Sequence, residues 1–182
     1  DSSNKRPKDG QIGKTRALRA EVIDYRMDDL VLRLLVGSER LIRLIIQPAS
    51  SASREWLDVD RSSLSQSALN QLYQSRVART PNGDVRIGTL PIVPQGYKPY
   101  CGLNTLTMAA RYFGLHVDED WLSVAGKFQN TGSAAGSQLP RLYLAVATEA
   151  GLDLHKSNDF SPDELRGSID QGLPAVIWRR FS

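Results

Sequence analysis

The chain has 182 residues, of which 41% are hydrophobic and 24% charged, the make-up of a folded protein of one or two domains and not of a disordered one. A formal charge of +3 is too small and too dispersed to argue for nucleic acid, and the cations Lys5, Arg6, Lys8, Lys14, Arg16 and Arg19 lack interleaved aromatics and read as a solvated tail and not as a binding arm. No apolar run approaches the roughly eighteen residues of a spanning helix, because Arg33 and Arg43 interrupt LVLRLLV and LIRLII.

Residues 1–12, DSSNKRPKDGQI, are polar, carry Pro7 and Gly10, and read as a disordered tail. Three β-like runs follow: TRALRAEVID, LVLRLLVG and ERLIRLII. Alternation gives each its faces: Leu18, Ala20 and Val22; Leu30, Leu32, Leu34 and Val36; and Leu41, Arg43 and Ile45 opposite Ile42, Leu44 and Ile46. Asp24 to Asp29 fits a hairpin turn, so the region is expected to be an antiparallel meander whose third run is buried on both faces. Gln47 to Ser63 is a polar loop carrying Trp56 and Leu57, expected to pack against the module or its neighbour. Ser63-Leu64-Ser65 opens a helix that runs to Tyr73 or Val77. Thr80-Pro81-Asn82-Gly83-Asp84 is a turn cluster and the expected domain boundary, within a linker over 80–92. On pattern alone, 13–79 resembles the small Src-homology-3-like barrels that precede catalytic domains in bacterial proteins. Such a barrel implies a site for a protein partner.

The stretch Gln95 to Gly114, QGYKPYCGLNTLTMAARYFG, holds the only cysteine of the chain. Pro99 keeps the preceding segment out of the α region, while Leu103, Leu106, Ala110 and Phe113 recur at helical spacing and Gly114 supplies a stop. Cys101 therefore stands at a loop-to-helix junction. A thiol placed there meets unpaired backbone N–H groups and the positive end of the helix dipole, both of which favour a nucleophilic thiolate. Gln95, six residues upstream, offers a side-chain N–H to the oxygen of a carbonyl under attack. A lone cysteine is more often a small buried hydrophobe; the placement is what argues for chemistry.

These residues match a family pattern. Gln, five residues, Cys-Gly, and an amphipathic helix closing in Tyr-Phe-Gly together resemble the papain-like cysteine peptidases, most closely the bacterial branch of double-glycine leader peptidases of bacteriocin exporters. The likeness covers about Val93 to Ile177. It implies that Cys101 is the nucleophile, that Gln95 and the Cys101 N–H form the oxyanion hole, and that Gly96, Tyr100 and Gly102 border the bound peptide. No cofactor or metal is implied.

The family's general base is a histidine on a strand after a segment like IDQGLPAVIW, accompanied by Asp or Asn. Here only His116 and His155 exist. His116 lies beyond the far end of the nucleophile helix, some ~20 Å from Cys101 at about 1.5 Å per residue, and His155 sits in LDLHKSN; both read as solvated or locally bonded histidines. The base is thus expected past Ser182, and the 182-residue chain is expected to be an inactive fragment. Asp1 in place of an initiator Met reads as a processed, exported protein, and the single cysteine allows no intrachain disulfide.

Further along, a second helix is expected over Val117 to Phe128 from a start near Asp118. NTGSAAGSQ over 130–138 is a connector or cleft wall, and a third helix begins at Leu139 with Pro140 in its first turn and stops at Gly151. Ser161-Pro162-Asp163-Glu164 is a capping box for a helix ending near Gly172, and Leu173 to Trp178 reads as a buried strand. The fold expected is α+β: a small antiparallel barrel-like module followed by a partial papain-like domain over 93–182. The function expected is hydrolysis of peptide bonds in a peptide or protein substrate. A non-catalytic scaffold whose barrel binds a partner, and transglutaminase-like acyl transfer, are the alternatives.

Overall fold

The computed structural model describes residues 8–37, 41–49, 64–88, 90–115, 117–128, 139–152 and 154–177. Strands β1 (Lys8–Ile12), β2 (Ala20–Met27), β3 (Leu30–Gly37) and β4 (Leu41–Pro48) are followed by helix α1 (Gln66–Gln74) and the short strands β5 (Val77–Arg79) and β6 (Val85–Ile87). Helices α2 (Cys101–Tyr112), α3 (Glu119–Ala125), α4 (Leu139–Thr148) and α5 (Pro162–Asp170) complete the described chain. The class is mixed α+β, as expected.

The first four strands form one antiparallel sheet in the order β1-β2-β3-β4. The β2–β3 register pairs Met27 with Leu30, leaving Asp28-Asp29 as a two-residue turn, and Asp28 adopts φ +44°, which a short polar side chain tolerates. The register places Ala20, Val22, Val31, Leu35 and Ile45 on one face, with Arg33 opposite Asp24, while Tyr25, Leu32 and Ile46 share the other with Leu34 and Leu44. The first face is the buried one: Ala20, Val22, Val31 and Leu35 are each 4% exposed or less. Leu44 at 48% and Ile46 at 60% exposure correct the expectation of a third run buried on both sides. Over Lys8–Ile12, edge strand β1 replaces the disordered tail expected there, its residues pairing with β2 from Lys8↔Asp24 to Ile12↔Ala20, while residues 1–7 of that expectation lie outside the described residues. Trp56, Leu57 and Trp178 lie outside the described residues.

Two compact units emerge, Asp1–Asp58 with Pro91–Leu154 and Val59–Leu90 with His155–Ser182. This grouping cuts across the boundary expected at 80–92. In the first unit the inward face of the sheet shares one core with the helices, Val22 and Leu35 joining Leu103, Leu106, Trp121, Leu122, Leu142 and Val146. Burying a single such side chain contributes about 1.5–3 kcal/mol, so sheet and helices stabilise one another. Trp121 donates its indole N–H to the Leu18 oxygen at 2.8 Å.

Polar links run through the same interface. Arg33 grips Asp24 with two hydrogen bonds of 2.6 and 2.5 Å. Asp118, 4% exposed, caps α3 by accepting from the N–H groups of Asp120 and Trp121, and its second oxygen accepts from Arg43, which also reaches Glu119 at 2.5 Å. Burial works against the Arg43 charge, but Asp118 and Glu119 outweigh it and hold the guanidinium pKa above its ordinary value.

In the second unit, Thr80–Asp84 closes the β5–β6 hairpin, where the sequence reading set a domain boundary. Arg79 donates to Asp170 at 2.6 Å. The capping box forms as expected: Ser161 accepts from the Glu164 N–H, and Glu164 accepts from the Ser161 N–H at 2.8 Å. Residues 173–177 are not a strand, and Val176 and Ile177 are 41% and 70% exposed. That corrects the expected buried strand: an apolar run pairs only where a neighbouring strand offers its backbone groups.

Candidate functional site

Helix α2 opens at Cys101, a free and exposed cysteine. Its N-cap, Tyr100, makes no side-chain cap bond, so among the described residues no N-cap side chain covers the first-turn N–H groups. The loop before it is folded tightly. Gly96 takes φ +61° with open space where a Cβ would project, a conformation that costs glycine nothing. The carbonyl of Lys98 then accepts twice, from the Gln95 side-chain amide at 2.9 Å and from the Tyr100 N–H at 2.8 Å. One Gln95 N–H is thereby spent on orienting the amide, and the second has no partner among the described residues.

The helix and its neighbours brace this loop. Asn104, one turn into α2 and 5% exposed, donates to the Val93 oxygen at 3.4 Å. Lys98 donates to Asp120 of α3 at 2.9 Å, a bond that raises the ammonium pKa against the opposing effect of desolvation, and its ammonium lies 5.0 Å from the centre of the Tyr100 ring. Tyr100 meets Phe128 edge-on at 5.0 Å. Tyr97 projects fully into solvent.

Gln95, Gly96, Tyr100, Cys101 and Gly102 therefore lie on one continuous braced loop and helix start. His116 lies outside the described residues, and His155 is exposed in the second unit. Asn104 and the Lys98–Asp120 pair escape the sequence reading. The signal for Asn104 was present: a polar residue inside the buried stripe of Leu103, Leu106 and Ala110. Asp120 is distant in sequence from Lys98 and gives no such signal. Among the described residues, no three His, Cys, Asp or Glu side chains gather as metal ligands, and no helix is long and apolar enough to cross a membrane. Comparison with family models, curated proteins and solved structures finds no match.

Proposed function

We propose that this protein is a papain-like cysteine peptidase acting through Cys101. The observation that carries the reading is the exposed cysteine at the first position of a twelve-residue helix, preceded by a glutamine whose amide is fixed within the same loop. In the reaction the Cys101 sulfur bonds to the peptide carbonyl carbon while the C=O electron pair moves to oxygen. The Cys101 N–H and the free Gln95 N–H stabilise that oxyanion. Collapse breaks the C–N bond, the amine leaves with a proton from a histidinium, and water then hydrolyses the thioester to release the acid and restore the thiol. The resemblance sets that histidine C-terminal to Ile177, so Cys101 and Gln95 are the residues assigned here.

An activated peptidyl ester tests the acyl half of the cycle without a base. It should acylate the chain once, at Cys101, as read by mass spectrometry of the digested protein. Equal acylation of a Cys101→Ser variant overturns the assignment. A second reading, a non-catalytic interaction protein, draws on the apolar outer face of the sheet.

A further inference from the structure

Lys98 serves the loop before Cys101 with its backbone and reaches a neighbouring helix with its side chain. Its carbonyl oxygen accepts from the Gln95 amide at 2.9 Å and from the Tyr100 N–H at 2.8 Å, while its ammonium donates to Asp120 at 2.9 Å. The ammonium also lies 5.0 Å from the centre of the Tyr100 ring, within reach of cation–π attraction. The Gln95 amide is thus oriented by a carbonyl whose own residue is anchored outside the loop. That anchor is stiff. Asp120 stands in the first turn of α3, where its N–H bonds the Asp118 carboxylate at 2.9 Å. Asp118 is 4% exposed and takes a further bond from Arg43 of β4, which ties the start of α3 to the sheet.

The loop itself has little else to fix it. Pro94 to Pro99 are all exposed, and Gly96 turns at φ +61° with open space around it. Asn104 holds the run before the loop through Val93, and the Tyr100–Phe128 ring contact holds its end. Among the described residues, the hydrogen bond that carries the middle of the loop to another element is Lys98 to Asp120. We propose that Lys98 and Asp120 are positioning residues for the oxyanion donor: their ion pair fixes the Lys98 carbonyl, and through it the direction of the second Gln95 N–H. Neither side chain touches a reacting atom. Their contribution lies in geometry set before the carbonyl is attacked, which is what makes an oxyanion donor effective. This role rests on the peptidase reading, since it acts only through Gln95.

The test measures, on the full chain, how tightly a peptidyl aldehyde forms its hemithioacetal at Cys101 and how fast iodoacetamide alkylates the same thiol. The pair is exposed, its side chains 58% and 42%, so the effect is modest: Lys98→Met should weaken the aldehyde about threefold, against about tenfold or more for Gln95→Ala. Alkylation should not change, and Lys98→Arg, which keeps the pair, should hold the aldehyde as the parent does. Adding Asp120→Asn to Lys98→Met should cost nothing further, and adding Lys98→Met to Gln95→Ala should cost nothing either, because both act through one amide. If Gln95→Ala binds the aldehyde like the parent, the peptidase reading fails and the proposal with it. If Gln95→Ala shows its loss and Lys98→Met does not, the role of the pair alone is overturned. It is equally overturned if Lys98→Met loses as much without Gln95 as with it, or if alkylation slows in step, which would assign the Lys98 charge to the thiol.

Discussion

The side-chain amide of Asn104 donates to the backbone oxygen of Val93 at 3.4 Å inside the first unit, tying the helix that begins at Cys101 to the run that leads into Gln95. The other end of that amide, Oδ1, is buried with no partner among the described residues, so the bond serves position more than stability. Asn104→Ala should cost only about 1 kcal/mol in denaturant unfolding yet speed amide exchange across residues 95–100. Unchanged protection there would show that the brace is not what orders the loop.

Arg43 faces two carboxylates, Asp118 and Glu119, with Arg111 at 3.9 and 3.6 Å as the nearest further cation described for them. Arg43→Met leaves buried negative charge undercompensated. Its side chain is 35% exposed, so the cost falls below the range for a fully buried pair, at about 2 kcal/mol. Adding Asp118→Asn to that variant should restore part of the loss, and a strictly additive double variant would argue against coupling.

Glu149 accepts from the backbone N–H groups of Lys14 and Thr15 at 2.8 and 2.9 Å. The Thr15 bond first, then the Lys14 bond, hold its carboxyl below the ordinary glutamate value against a desolvation cost. A lowered folded pKa contributes stability that is complete above the unfolded value of about 4.3 and is lost as pH falls through the lower folded one. Glu149→Gln should therefore be less stable than the parent at pH 6 by up to about 1 kcal/mol, given the exposure of the pair. The difference should vanish toward pH 3 in thermal melts, and a constant difference would remove the charge from the explanation.

Gly172 at φ +73° sits where an added Cβ would fall 2.1 Å from the Tyr73 carbonyl oxygen, and Gly13 at φ +82° where it would fall 2.2 Å from that of Leu18. Backbone cannot yield as a side-chain tip can, so each Gly→Ala replacement should cost about 2 kcal/mol or more. Calorimetry checks both, and either variant melting like the parent would contradict the close approach.

Local chemistry was readable in the sequence where it is self-contained. The Ser161–Glu164 box closes its own bonds, Asp118 caps α3 where the sequence set its start, and Cys101 opens its helix because Pro99 and Tyr100 precede it. What depends on a distant partner was not. The polar β1 is a strand because β2 supplies its pairing, and the apolar run at 173–177 is not one. Alternation gave the faces of LVLRLLVG but not which one turns inward: the core takes Val31 and Leu35 together with Arg33, whose charge Asp24 satisfies, and the even-numbered leucines face out. Lys98–Asp120 joins two elements across 22 positions, beyond any local pattern.

The central claim is that Cys101 and Gln95 act together on a carbonyl, and a peptidyl aldehyde addresses it most directly, because its oxygen must occupy the oxyanion site when the sulfur adds. Hemithioacetal formation at Cys101 should weaken by about tenfold or more in Gln95→Ala, in keeping with the loss of one oxyanion donor. Alkylation of the same thiol by iodoacetamide, which forms no oxyanion, should be unchanged. Equal loss with both reagents, or no loss with the aldehyde, would contradict the account.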